Sequence, residues 1–213
     1  MGTADPLASI VVADRLHVTS LADTLTRIAQ DLTEARVGFA LIGGLAVSVR
    51  TEPRFTRDAD LAVAVADDIE AETLIDRLRV SGYGIGTVLE QQAVGRLSTV
   101  RLLPTDRLDD QPVVDLLFAS SGIEPEIVQD AEPLEVLPSL IVPVARTAHL
   151  LALKLLSRND TERPQDLIDL RALLGVATPD DVARARECAA MIEARGYHRG
   201  RNLLSDLNAL LAP

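Results

Sequence analysis

The sequence predicts an α+β fold: a small mixed β-sheet with helices on one face, followed by a helical C-terminal part. Three observations predict it. Helical and strand periodicities alternate up to about residue 118, one strand run carries carboxylates on one face only, and from about Arg146 the pattern turns wholly helical. The division falls near residue 144, giving an α+β core over residues 1–144 and a helical part over residues 145–213.

Residues 1–19 read as a loose lead-in. Ser20 is placed to cap a helix running to about Ala35, in which Leu21, Leu25, Ile28 and Leu32 recur at helical spacing. Phe39-Ala40-Leu41-Ile42 is a short apolar run ended by Gly43-Gly44, a buried strand entering a tight turn, and Leu45 to Arg50 resume a short helix. From Asp58 to Val65 the chain alternates, with Ala59, Leu61, Val63 and Val65 on one side and Asp58, Asp60, Ala62 and Ala64 on the other. A helix is expected over DDIEAETLIDRLRV, then strands near 85–90, 97–103 and 112–118. Four helices follow, in ARTAHLLALKLLSR, RPQDLIDLRALLG, TPDDVARARECAAMIEARG and RNLLSDLNALLA. The third has a well-marked start, with Thr178 as cap, Pro179 in the first turn, and Asp180 and Asp181 at the positive helix end.

Composition narrows the function classes. Aromatics are only 2%, too few for an open stacking platform of the single-strand-binding type. The net charge of −11 disfavours non-specific binding to polyanions, although a local basic patch can override a global field. Cys188, the only cysteine, reads as a small buried helix residue, and His17, His149 and His198 show no ligand spacing. No membrane span or basic-flanked leader is visible, so a soluble cytoplasmic protein is expected.

Chemistry concentrates in residues 42–61, IGGLAVSVRTEPRFTRDADL. A strand ending in Gly43-Gly44 before a helix points backbone N–H groups and the positive helix end at one place, which suits a phosphate. Asp58 and Asp60, two residues apart on a strand, project from one face and offer hard oxygen ligands to magnesium. Alone, such a pair is equally a solvated strand end. Asp115 interrupts the apolar run PVVDLLF, where an unpaired anion is costly to bury. It completes a carboxylate triad if its strand lies beside that of Asp58 and Asp60; otherwise it pairs with backbone or an arginine. Arg50, Arg54 and Arg57 form a basic cluster next to the phosphate candidate.

This arrangement, Gly-Gly, a short helix, Arg54-x-Thr56-x-Asp58-x-Asp60 and then a strand aspartate, resembles the DNA polymerase beta-type nucleotidyltransferase superfamily. Within it the chain is most similar to the AbiEii-like nucleotidyltransferases of toxin–antitoxin pairs. Lys154 on a helix, followed by Arg163-Pro164-Gln165-Asp166-Leu167-Ile168-Asp169-Leu170, is similar to the group's later motif, so the resemblance covers about residues 38–174. It departs from many superfamily members in having Gly43-Gly44 where they have Gly-Ser, and in a longer interval to Asp58.

The resemblance implies transfer of a nucleoside monophosphate from a triphosphate to an acceptor hydroxyl. Asp58, Asp60 and Asp115 are then the metal ligands of a two-magnesium site and, with Lys154, the catalytic set. Gly43, Gly44, Arg54, Thr56, Arg57, Lys154 and Asp166 are the expected nucleotide-binding residues. The acceptor is a tRNA 3′ end or a protein side chain, and a cognate antitoxin is an expected partner. From the residues alone, Lys154 reads equally as a snorkelling helix lysine, and Asp166 and Asp169 as salt-bridge partners. Two alternatives stand beside this reading: an antibiotic-type small-molecule O-nucleotidyltransferase, favoured by the acidic charge, and a catalytically silent nucleotide-binding module.

Overall fold

The computed structural model describes residues 21–104 and 112–212; the expected lead-in over residues 1–19 and the Ser20 cap lie outside these described residues. Residues 21–34 form helix α1, whose Leu21, Leu25, Ile28 and Leu32 are all buried, as their spacing requires. Strand β1 (Gly38–Ile42) runs straight into α2 (Gly43–Arg50), and β2 (Ala59–Ala64) returns antiparallel beside β1. Helix α3 (Asp68–Val80) is capped by Asp67, which accepts a hydrogen bond from the Glu70 amide. A long hairpin of β3 (Tyr83–Gln91) and β4 (Arg96–Pro104) follows, then β5 (Val114–Leu117).

Three further elements lie where sequence periodicity marked none: α4 (Glu124–Asp130), β6 (Glu132–Leu137) and β7 (Leu140–Val144). Pro125, Pro133, Pro138 and Pro143 interrupt that stretch and hide its alternation. Pro133 and Pro143 are cross-strand partners in the terminal hairpin, and β6 is the sheet's edge, where a strand tolerates a missing N–H.

The seven strands form one mixed sheet in the order β3-β4-β5-β2-β1-β7-β6. The central pair, β2 and β5, is parallel, while β4 and β1 flank it antiparallel. The helical remainder follows expectation: α5 (Thr147–Ser157), α6 (Pro164–Val176), α7 (Pro179–Ala194) and α8 (Leu203–Leu211). At the start of α7, Thr178 and Asp181 complete a reciprocal capping box. Helix α5 packs against α2, α6 and α7, so the buried apolar cluster is continuous from Leu21 to Leu207. Among the described residues, no helix is long and apolar enough to cross a membrane.

Candidate active site

Strand register lines up three charged side chains. Asp60 of β2 stands opposite Asp115 of the parallel β5, and Asp115 stands opposite Arg101 of the antiparallel β4. Residues directly opposed in a sheet share a face, so Asp60, Asp115 and Arg101 form a row. Their neighbours Leu61, Leu116 and Val100, which alternate to the other face, are fully buried. The row faces a cleft of about 860 Å³ that Asp58, Gly43, Gly44, Arg54, Thr56, Lys154 and Asp166 also line.

The Gly43-Gly44 turn is shaped by what approaches it. Gly43 has φ +66°, a left-handed conformation, and a Cβ there would fall 1.9 Å from Oδ2 of Asp60. A Cβ on Gly44 would fall 2.7 Å from a guanidinium nitrogen of Arg54. The first turn of α2 carries no side-chain cap and no acidic residue, so its amide N–H groups keep their capacity for an anion.

Asp60 is the strained carboxylate. Burial, reinforced by Asp115 and by Asp58, raises its pKa from 3.8 to about 6, and Lys154 and Arg163 offset only part of this. Asp115 has its own counter-ion. Arg101 donates to it through both arms of a fork, Nε to Oδ1 at 2.8 Å and Nη2 to Oδ2 at 2.7 Å. That hydrogen-bonded pairing lifts the Arg101 pKa well above its ordinary value, and Asp58 and Asp60 add to the effect.

The donor chemistry fits a divalent cation of the magnesium type at Asp58 and Asp60, where hard oxygens are short of positive charge. The sequence expectation made Asp115 the third carboxylate of the metal site. Its carboxylate reaches the same sheet face but is filled by Arg101, and among the described residues no three acidic, histidine or cysteine side chains converge around a metal position.

Opposite the row, Lys154 is buried on α5 and bonds Asp166 at 2.9 Å and Asp169 at 2.8 Å. Asp169 also takes Arg54 Nη2 at 2.8 Å and Gln165 Nε2 at 3.0 Å. Asp166 also takes Arg163 at 3.1 Å and the Ser157 hydroxyl at 3.2 Å. These bonds join α5, α6 and the loop after α2 into one polar network. Burial resists ionisation of Asp169, but its bonds to Lys154, Gln165 and Arg54 win and lower its pKa. The Nε of Arg54 is buried without a partner among the described residues.

The basic cluster predicted around the phosphate position is only partly there. Arg54 lines the cleft. Arg57 does not; it is exposed, with its guanidinium 5.8 Å from the Phe55 ring centroid. Arg50 turns away to Glu132 at 2.7 Å and to the carbonyls of Val144 and Ala145, because β7 passes beside the end of α2. Sequence reasoning missed Arg101 and Arg199, which both line the cleft. The alternation in RLSTVRLLP does put Arg101 on one strand face with Thr99, but nothing in it names the opposing residue.

Comparison with known proteins bears on the family and the fold. The sequence profile of the family described as "Nucleotidyl transferase AbiEii toxin, Type IV TA system" matches residues 27–212. An antigenic nucleotidyltransferase-like protein from Paracoccidioides brasiliensis has a similar fold: TM-score 0.53, 20% identity, 90% of this chain and 93% of that one covered. The antibiotic-resistance factor ANT(2'')-Ia is similar over 84% of this chain and 94% of its own, with TM-score 0.54 and 15% identity. No curated protein sequence matches the chain.

Proposed function

The chain belongs to the AbiEii family of nucleotidyltransferases, and from that premise we propose that its cleft transfers a nucleoside monophosphate from a triphosphate to an acceptor hydroxyl under metal assistance. One observation carries the reading. An under-neutralised carboxylate, Asp60, is packed against the glycine turn that opens α2, inside the cleft that Asp58 and Lys154 also line.

The chain's own residues divide the work. The first amides of α2, at Gly43 and Gly44, bind phosphate oxygens, with Arg54 and Thr56 beside them. Lys154, held in place by Asp166 and Asp169, offsets negative charge on the departing pyrophosphate. The acceptor oxygen forms a bond to the α-phosphorus, the bond from that phosphorus to the bridging oxygen breaks, and pyrophosphate leaves. The hydroxyl proton passes to a carboxylate of the row, for which Asp115 is placed opposite Asp60. Asp58 and Asp60 would hold magnesium with Asp115 as a third ligand, supplying charge stabilisation to the in-line displacement.

The family's description supports a toxin role and a cognate antitoxin as partner. The proposed acceptor is a tRNA 3′ end or a protein hydroxyl. Incubation with each α-labelled triphosphate and magnesium, in parallel with total tRNA, cell protein and aminoglycosides, tests this. Label should pass to RNA or protein and be lost in Asp58→Ala and Asp115→Ala. Transfer to aminoglycosides alone would replace the acceptor class, and unchanged transfer by both variants would overturn the site.

A further inference from the structure

We propose that Arg101 is the internal counter-ion of the carboxylate row, occupying Asp115 in place of a divalent cation and giving way when that cation binds. This rests on the metal-assisted reading above. Both Asp115 oxygens accept from the Arg101 fork, at 2.8 and 2.7 Å, and Asp115 is only 13% exposed against 43% for Arg101. The solvent-facing member of the pair is therefore the guanidinium. The carboxylate is fixed by strand register beside Asp60.

Charge argues in the same direction. Asp58 and Asp60 both act on Arg101, the one cation bonded to the row, while Lys154 and Arg163 act on Asp60 without bonding it. Together these cations still leave Asp60 under-neutralised; a divalent cation on the Asp115 oxygens would bring two charges where the guanidinium brings one. The two occupants repel each other, and each takes oxygen lone pairs the other needs. Arg101 thus holds Asp115 in a ligand-like orientation while no metal is present, and it sets a threshold that the cation must exceed. Lys154 lies on α5 with its own partners, Asp166 and Asp169, and offers no substitute cation to Asp115.

Manganese binding to the full chain, measured by titration calorimetry or electron paramagnetic resonance without nucleotide, tests the proposal. Arg101→Gln should bind Mn²⁺ more tightly than wild type, on the order of tenfold, because a competing charge is removed. Arg101→Lys, which keeps a charge but loses the fork, should fall between them, and it carries the test alone if Arg101→Gln does not fold. Asp115→Asn should bind no more tightly than wild type. Equal or weaker Mn²⁺ binding in a folded Arg101 variant, with wild type binding Mn²⁺ together with a non-hydrolysable triphosphate, overturns the Arg101 assignment alone. Failure of wild type and both variants to bind Mn²⁺, with or without that triphosphate, overturns the metal-assisted reading as well.

Discussion

Gly43 and Asp60 share one space: the position a Gly43 side chain would take is filled by the Asp60 carboxylate, with Asp60 Cβ itself only 2.8 Å from a Cβ built there. The carboxylate tip could swing aside, but its Cβ is fixed to β2. Gly43 also has φ +66°, which costs any other residue strain. Gly43→Ala should therefore lose roughly 2–3 kcal/mol of stability in chemical denaturation and should abolish nucleotidyl transfer. A variant as stable and active as wild type would refute this coupling.

Asp60 should destabilise the metal-free protein at neutral pH. Its folded pKa of about 6 lies above its ordinary 3.8, so between those pH values the native state holds a proton that the unfolded chain has released, and at neutral pH it carries a poorly solvated charge. The favourable contribution is complete below pH 3.8 and disappears as pH rises through 6. Asp60→Asn keeps the shape without the charge. At pH 8 it should stabilise the metal-free protein by on the order of 1–3 kcal/mol while removing activity. A lower Tm for Asp60→Asn at pH 8 would contradict the assignment of strain to this carboxylate.

Much of the site was legible because its chemistry is local. The alternation from Asp58 to Val65 put both aspartates on one face, and an acid in PVVDLLF had to have a partner. The Thr178 capping box was readable for the same reason: donor and acceptor are three residues apart. What stayed hidden depends on distance along the chain. Arg54 meets Asp169 across 115 residues, and Arg101 meets Asp115 only through the register of β4 on β5. Neither register nor helix docking is written in periodicity. Arg50 misled for the mirror-image reason: nearness in sequence to Gly44 could not show that β7 would draw it off to Glu132 and two carbonyls.

Lys154 separates structural from chemical roles. Lys154→Ala leaves Asp166 and Asp169 buried with a major counter-ion removed, and should cost about 3 kcal/mol. Adding Asp166→Asn removes one of those stranded charges. The double variant should regain part of the stability measured by denaturant midpoint, yet regain none of the transfer rate, because no ammonium is left for pyrophosphate. Recovery of activity in the double variant would reduce Lys154 to a structural residue.

His149 should set the protein's acid sensitivity. It is fully buried on α5, with neither ring nitrogen hydrogen-bonded among the described residues and Asp130 Oδ2 3.7 Å from Nε2. Burial lowers its pKa below 6.5; Asp130 pulls the other way, and Arg184 and Arg146 add to the lowering. A depressed folded pKa means that stability is present above pH 6.5 and is lost as pH falls, since the unfolded chain takes up the proton first. Asp60 contributes the opposite slope between its own 3.8 and about 6, so wild-type melts mix the two. In an Asp60→Asn background one opposing slope is removed, leaving that of buried Glu124: stability should fall between pH 7 and pH 5.5, and adding His149→Leu should flatten that fall. An unchanged slope with His149→Leu would place the acid sensitivity elsewhere.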